Sequence, residues 1–291
     1  MLSPAIRPFL QAAGGVAALC ALDAAVKSLS MTHTVFYAVL GRYVAGSAFA
    51  LAVWWLQGRP PITREMLPSH LARGLLIAAT ASMFFYALTV LTMAETITLS
   101  FTAPLMIPPL AQLLLGEKMR GPVLIAAALG FCGVLVTVQG APAFSGSRAL
   151  ALASVLGASL TYALAAIVMR SRAASDGSTL LTLTGAIIPM LVLAPTAIGA
   201  PVPSVEAIGW CILAGVFGNL GIQLLARAYA QAEVQALGVI EFTALPWAAM
   251  FGWLLFGETV RLQVFLGATI IVAACIWAAR AGRTQPAPLA P

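Results

Sequence analysis

The residue of this sequence best placed to do chemistry is a glutamate inside an apolar run. Glu241 lies near the middle of a hydrophobic segment that extends from 233 to 256. An ionisable side chain within a bilayer costs several kcal/mol unless it is paired or hydrated, so such residues mark functional sites by default. We therefore expect Glu241 to bind a substrate amine or to carry a coupling proton. The alternative is a structural glutamate that is ion-paired or protonated.

Three further charged residues lie within or beside apolar runs. Asp23 and Lys27 are four residues apart and so share one helix face. They could neutralise each other or bind the two ends of an amino acid, although Lys27 is also placed to extend its amine to the membrane surface. Asp23 is therefore the better candidate for substrate binding. Arg42 could hold a substrate carboxylate, but buried charges are normally paired, which favours a structural salt bridge.

Polar and aromatic side chains within the apolar runs form a second group of candidates. Beside Asp23 and Glu241, the predicted substrate-binding residues are Tyr86, Thr98, Thr102, Tyr162, Asn219 and Gln223. Hydroxyl and amide groups could orient a small zwitterion while the rings pack against its side chain. The alternative is that the polar groups connect membrane helices to one another and the rings face lipid.

The composition places these residues in a membrane. Of 291 residues, 61% are apolar and only 8% are charged, whereas about a quarter of a soluble domain is charged. The charges collect in short patches between apolar runs of roughly 20 residues, the length that crosses a hydrocarbon core about 30 Å thick. A β-barrel would show short alternating segments instead. The sequence therefore predicts a membrane protein built from helices.

Ten apolar runs, separated by charged residues or by Pro and Gly, are the predicted transmembrane helices. They extend over 9–29, 34–56, 71–91, 95–115, 121–139, 149–170, 178–199, 206–228, 233–256 and 262–280. The connections between them are too short for a soluble domain. The predicted fold class is an all-α membrane protein of ten transmembrane helices.

The basic residues predict the orientation of these helices. With the N-terminus in the cytoplasm, eleven basic residues near helix ends fall inside: Arg7, Arg59, Arg64, Arg73, Lys118, Arg120, Arg170, Arg172, Arg227, Arg280 and Arg283. Only Lys27, Arg148 and Arg261 fall outside. By the positive-inside rule, both termini are cytoplasmic and the chain spans the bacterial inner (plasma) membrane. The net charge of +6 is thus no indication of nucleic-acid binding.

The two halves of the sequence contain a related segment. Residues 94–118 read AETITLSFTAPLMIPPLAQLLLGEK, and residues 232–259 read AEVQALGVIEFTALPWAAMFGWLLFGET. Both begin with Ala-Glu, contain Phe-Thr-Ala and end near Gly-Glu. We therefore predict a first five-helix repeat over 1–145, a second over 146–283, and a flexible tail over 284–291. Because five is odd, the repeats face opposite ways across the membrane, as in many transporters that work by alternating access.

Prolines lie at matching places in the two repeats. Pro104, Pro108 and Pro109 in the fourth run and Pro246 in the ninth remove backbone hydrogen bonds and should kink these helices. Paired kinks would suit hinges for gating, and static bends are the alternative. Small residues, such as those around Gly133 in the fifth run, should let neighbouring helices approach closely.

The repeated segments, the ten runs and the Arg42-Tyr43 pair together resemble a known family. The chain is similar to the drug/metabolite transporter superfamily, and within it to the EamA-type exporters, in particular the YddG-type aromatic amino-acid exporters. The resemblance implies a basket-like bundle whose central cavity is lined by helices one, three, four, six, eight and nine. Helices five and ten would lie outside, and the pairs three–four and eight–nine would rock as gates. The helix of Arg42 would also lie outside the cavity, which favours its structural role.

The resemblance further implies export of aromatic and other neutral amino acids, or of related small metabolites. The alternative within transport is a multidrug exporter of hydrophobic cations, which would need a carboxylate and rings but no Arg. The residues alone do not exclude a passive channel, but the inverted repeat and the carboxylate in the middle of the ninth run argue against one. The expected partners are a small-molecule substrate and membrane lipid, not nucleic acid, and the chain is expected to be a monomer or a weak dimer.

Enzymes are disfavoured because the sequence lacks their usual motifs. Metal-assisted chemistry needs clusters of carboxylates or histidines, but His33 and His70 lie at the ends of runs and no acidic pair occurs. The four cysteines fall inside apolar runs without metal-type spacing. No nucleotide-binding loop is present either, which excludes primary active transport by this chain alone. We expect no catalytic residue, no metal and no cofactor.

Overall fold

The computed structural model describes residues 7–115, 121–139, 146–199, 203–229 and 241–281. Over these residues the regular structure is helical, and no strand occurs. The helices are α1 Arg7–Ser30, α2 Val35–Leu56, α3 Leu67–Val90, α4 Met93–Ser100, α5 Ala103–Leu115, α6 Gly121–Val138, α7 Gly146–Leu193, α8 Val205–Tyr229, α9 Ala244–Phe256 and α10 Leu262–Ala281, with a 3₁₀ turn Ala194–Ala197 after α7. The predicted tail over 284–291 lies outside the described residues.

The lengths of these helices match a membrane. Within the described ranges, seven helical segments are long and apolar enough to cross a bilayer, and α7 alone contains two of them. Three shorter apolar segments extend over Ile125–Val138, Ala244–Phe256 and Leu262–Trp277. Helices suit this setting because every backbone group in lipid must find a partner within the protein. The prediction of a helical membrane protein is thus confirmed, and the count of ten crossings stays a prediction.

The predicted fourth helix is interrupted in the middle. α4 ends at Ser100, Phe101 and Thr102 form a turn, and α5 begins at Ala103. Proline has no N–H, and its ring excludes the carbonyl of the residue four positions earlier. For Pro104 that residue is Ser100, where α4 ends. The proline therefore explains why the helix breaks at this point.

The predicted ninth helix is interrupted at the corresponding place. Glu241 is helical, Phe242 and Thr243 form a turn, and α9 begins at Ala244, two residues before Pro246. Both breaks therefore fall at a Phe-Thr-Ala sequence followed by proline. The earlier part of the ninth run, 233–240, lies outside the described residues. The kinks expected from Pro104 and Pro246 are helix interruptions in the structure, whereas Pro108 and Pro109 lie within the continuous helix α5.

Small residues let several helices approach closely. α1 crosses α8 where a Cβ placed on Gly221 would lie 2.9 Å from the carbonyl oxygen of Gly15. α6 crosses α10 where a Cβ on Gly133 would lie 2.9 Å from the carbonyl oxygen of Gly267. Such contacts allow tight packing between membrane helices, where the hydrophobic effect gives little drive to association. α3 packs along α7 in the same bundle.

Candidate substrate-binding site

The bundle contains a cavity of about 460 Å³ between the middle parts of its helices. It is lined by α1, α2, α3, the α4–α5 break, α7, α8 and the start of α9. All six helices that the resemblance places at a central cavity contribute, since α7 contains the predicted sixth run. The polar lining residues are Asp23, Arg42, Tyr43, Thr80, Ser100, Ser159, Tyr162 and Glu241. Rings of Phe84, Phe85 and Phe101 add apolar surface.

The two helix breaks meet beside this cavity. The rings of Phe101 and Phe242 pack edge to face, with their centroids 5.2 Å apart and their planes at 85°. Some backbone carbonyl groups at the breaks have no hydrogen-bond partner within their helix, because the last turn of a helix leaves its carbonyl groups unpaired. The thiol of Cys275 partly fills this role, since it donates to Phe101 O at 3.5 Å, one residue after α4 ends. The thiol of Cys20 donates to Ala244 O at 3.6 Å, at the first residue of α9.

Arg42 lines the cavity, contrary to what the resemblance implies. The carbon of its guanidinium lies 4.9 Å from the centre of the Tyr43 ring and 5.4 Å from the centre of the Phe85 ring. Among the described residues it makes no ion pair, so the expected salt bridge is wrong. The reason is the rotation of α2, which turns residues 42 and 43 toward the bundle axis.

Of the eight predicted site residues, three line the cavity: Asp23, Tyr162 and Glu241. Asp23 is 9% exposed and lines the same cavity as Arg42. Glu241 and Tyr162 line it as well. The structure therefore brings two carboxylates, one guanidinium and two phenols to one cavity.

The other five predicted residues are not among those that line the cavity. Thr98 and Thr102 are buried, because the face of α4 that reaches the cavity carries Ile97 and Ser100 instead. Successive helical residues point about 100° apart, so one position decides between cavity and core. The remaining three are placed as follows: Tyr86 packs against an apolar core cluster, Asn219 donates to Gly215 O at 2.9 Å within α8, and Gln223 is half-buried in α8.

Thr80 lines the cavity but was not among the sequence candidates. Its hydroxyl lies 2.7 Å from that of Thr161 on α7, which is within hydrogen-bond distance. One signal in the sequence points to it, because Thr80 precedes the aromatic residue Phe84 by four positions on α3. Residues four apart share a helix face.

Beyond one end of the cavity lies a group of five charged residues, Lys27, Glu95, Arg148, Glu258 and Arg261, which we call the charge cluster. Glu95 is 2% exposed and pairs with Arg148, and its same oxygen accepts from Arg261 at 3.1 Å. Lys27 pairs with Glu258 and also donates to Leu91 O at 3.0 Å. The expectations that Lys27 neutralises Asp23 or extends to the membrane surface are therefore wrong.

The charge cluster joins elements that also line the cavity. Lys27 lies one helical turn beyond Asp23 on α1, a rise of about 6 Å. Glu95 precedes the lining residue Ile97 by two positions on α4. The second oxygen of Glu258 accepts the backbone N–H of Met93 at 2.8 Å, at the first residue of α4. These contacts hold α1, α4, α7 and the ends of α9 and α10 together at this end of the cavity.

A second buried polar group joins α3 to α7. His70 is 2% exposed, with its Nδ1 2.6 Å from the hydroxyl of Thr184 and its Nε2 3.0 Å from a carboxylate oxygen of Asp176. One turn further along α3, Arg73 donates to Leu181 O at 2.8 Å. In the ranges that the structure covers, no group of three or more His, Cys, Asp or Glu residues could hold a metal ion.

A bundle of long apolar helices around a cavity, with two helices interrupted beside it, is typical of membrane transporters. Comparison with known sequences defines the class further. The chain belongs to the EamA-like transporter family, whose sequence model matches residues 10–139 and again 149–280. It therefore belongs to a family of membrane transporters and not to a family of enzymes.

Individual relatives have different names. The chain is 30% identical over 200 residues to an uncharacterized transporter of Helicobacter pylori, covering 65% of each protein, so it spans just under two thirds of that relative's length. It is 27% identical to a riboflavin transporter of Brucella anthropi, over 82% of this chain and 86% of the relative. It is 25% identical to the pseudopaline exporter CntI of Pseudomonas aeruginosa, over 88% of this chain and 89% of the relative.

One solved crystal structure resembles the fold of the chain. It aligns with a TM-score of 0.64 and covers 95% of this chain and 97% of its own. The sequences are 17% identical, so the similarity concerns the fold alone.

Proposed function

We propose that this protein is a secondary transporter that exports amino acids, aromatic and other neutral ones, or related small metabolites across the inner membrane by alternating access. One observation carries the proposal: the cavity holds charges of both signs, Asp23 and Arg42, beside the rings of Phe84 and Phe85. A zwitterion with an apolar side chain needs this combination. The volume of about 460 Å³ lies within the range of small-molecule sites, roughly 300–1,000 Å³.

Alternating access is supported by two features of the chain. The family model matches it twice, once in each proposed repeat. The helix breaks at Phe101 and Phe242 occur at the same Phe-Thr-Ala sequence, about 141 residues apart, and meet beside the cavity. Interrupted helices at the interface of two repeats are typical of the substrate sites of secondary transporters.

The charge cluster supports the proposal that the cavity is closed on its extracytoplasmic side. In the orientation predicted from the basic residues, all five of its members lie at the extracytoplasmic ends of their helices. Its ion pairs then close the cavity toward that side and must separate when the substrate leaves. We propose that the structure has the cavity closed on the outside. The direction, export, is supported by the name of the pseudopaline exporter CntI, a relative that covers most of the chain.

The proposal is tested by transport into proteoliposomes that hold the purified protein. We expect phenylalanine and other large neutral amino acids to move, and sugar phosphates to stay outside. If Glu241 carries a coupling proton, Glu241→Gln removes the response of the flux to a pH gradient. The control is Glu206→Gln, because Glu206 is an exposed carboxylate at the start of α8. Absence of amino-acid movement in active liposomes would refute the proposal.

A second function is favoured by one observation. Two carboxylates, Asp23 and Glu241, share the cavity with aromatic rings, and this combination also suits hydrophobic cations through charge and cation–π contacts. The same liposomes, tested with a hydrophobic cationic drug, separate the two functions. Movement of the drug without movement of amino acids would favour the multidrug exporter.

A further inference from the structure

The guanidinium of Arg42 is held by aromatic rings rather than by an anion. It lies over the rings of Tyr43 and Phe85, at 4.9 and 5.4 Å from their centres. Within the described part of the chain it makes neither a hydrogen bond nor an ion pair, although it lines the cavity. Buried charges normally have a counter-ion and hydrogen bonds, because leaving water is costly for them. Arg42 therefore differs from Arg73, another partly buried arginine of the bundle.

That other arginine, Arg73, is on α3 and donates to the carbonyl oxygen of Leu181. The rings beside Arg42 also limit the positions of its planar group. Cation–π contacts attract the guanidinium to the ring faces while leaving its N–H groups, which lie in its plane, directed away from the rings. These N–H groups form a planar fork that matches the two oxygens of a carboxylate.

Asp23 supplies the opposite charge without using that fork. It lies on α1 and lines the same cavity as Arg42. No hydrogen bond or ion pair joins the two side chains. Both charges therefore keep their hydrogen-bonding groups for a ligand, and a ligand with an acidic and a basic group would satisfy both at once.

We propose that Arg42 binds the carboxylate of the transported molecule and selects molecules that carry one. The inference rests on the proposed function and deepens it, because it makes an acidic group a requirement of the substrate. Asp23 then faces the substrate amine. Bidentate arginine–carboxylate pairs are among the stronger polar contacts in proteins, and their geometry cannot be reproduced by lysine.

The test compares phenylalanine with phenylalaninamide, which has the same ring and amine but no carboxylate. We expect the wild-type protein to transport phenylalanine with a kcat/KM roughly 10- to 100-fold higher than that of the amide, the range for a hydrogen bond to a charged group. In Arg42→Gln this preference should fall to within about threefold, through a higher KM for phenylalanine and an unchanged KM for the amide. Arg42→Lys should give an intermediate preference, since it keeps the charge and loses the fork.

The matched control is Arg59→Gln. Arg59 also stacks on a ring, with its guanidinium carbon 3.2 Å from the centre of Trp55, but it follows α2 and does not line the cavity. This variant should keep the wild-type preference. Thermal unfolding in detergent without substrate separates a folding defect from a binding defect, and phenylalanine should raise the midpoint of the wild-type protein and not that of Arg42→Gln.

The outcomes distinguish this inference from the proposed function. If the wild-type protein moves hydrophobic cations and no amino acid, both are refuted. If it moves phenylalanine and its amide equally well, or if Arg42→Gln is folded and keeps the preference, transport of amino acids stands and the role of Arg42 is refuted. A loss of preference in both Arg42→Gln and Arg59→Gln would also refute it.

Discussion

Replacing Glu95 by glutamine should open the cavity toward the side on which the charge cluster lies. The carboxylate of Glu95 holds two guanidinium groups, those of Arg148 and Arg261, at the end of the cavity. Glutamine keeps the size of the side chain and one oxygen acceptor but removes the charge. We therefore expect the closed arrangement to lose stability relative to one in which these groups are hydrated.

The free energy by which Glu95→Gln destabilises the closed arrangement follows from the burial of the paired side chains. The side chain of Glu95 is 2% exposed and that of Arg148 is 10% exposed, so this pair is a buried one. Removing one member of a buried ion pair costs about 3–5 kcal/mol. Arg261 is 24% exposed and adds less, and the remaining oxygen of glutamine offsets part of the loss. A net change of about 3 kcal/mol would shift the equilibrium between closed and open forms by roughly a hundredfold.

A native cysteine can report this shift. Cys20 lines the cavity and is 2% exposed, and it lies one turn before Asp23 on α1. In a variant that keeps only this cysteine, a membrane-impermeant thiol reagent is added to the outside of intact spheroplasts. We expect little labelling of Cys20 with Glu95 in place and a rate tens of times higher with Glu95→Gln.

Two controls complete the experiment. Glu206→Gln removes an exposed carboxylate that the predicted orientation places on the same side, and it should leave the labelling rate unchanged. A reporter enzyme fused to the C-terminus checks that the variant has kept its orientation. The reasoning is refuted if folded Glu95→Gln, correctly oriented, labels no faster than the single-cysteine protein that keeps Glu95.

Two further predictions concern the stability of the bundle, measured as the midpoint of thermal unfolding in detergent. Gly267→Ala should lower the midpoint by the equivalent of about 1–3 kcal/mol, because the new Cβ would lie 2.6 Å from the carbonyl oxygen of Gly133; Gly209→Ala, where no atom lies within 4 Å, should not. Equal effects would contradict the close helix contact. His70→Ala should also cost about 1–3 kcal/mol, because it removes a buried hydrogen bond to Asp176; an unchanged midpoint would show that this contact contributes nothing.

Features that depend on residue type alone could be predicted from the sequence. Charged residues in apolar runs are rare and costly, so Asp23 and Glu241 stood out, and both line the cavity. Proline removes a backbone donor wherever it occurs, so Pro104 and Pro246 indicated where the helices would break.

Features that depend on the rotation of a helix could not be predicted in the same way. In a soluble protein the apolar face of a helix shows which side is buried, but in a membrane both the lipid-facing and the buried sides are apolar. Thr98 and Ser100 are therefore equivalent candidates in the sequence, although only Ser100 reaches the cavity. The sequence favours a salt bridge for Arg42, because spacing along the chain does not show which rings lie beside it. One of these rings, that of Phe85, is on another helix.

The charge cluster also explains why some basic residues depart from the positive-inside rule, from which the orientation of the chain was predicted. The three basic residues predicted outside, Lys27, Arg148 and Arg261, are all members of the cluster, and each pairs with a carboxylate. Their positions are thus accounted for by tertiary pairing, which the counting of basic residues ignores. The two carboxylates, Glu95 and Glu258, come from the Ala-Glu and Gly-Glu sequences of different repeats. The pairing therefore joins the two halves of the chain at the end of the cavity, where a transporter that alternates needs a contact that can separate.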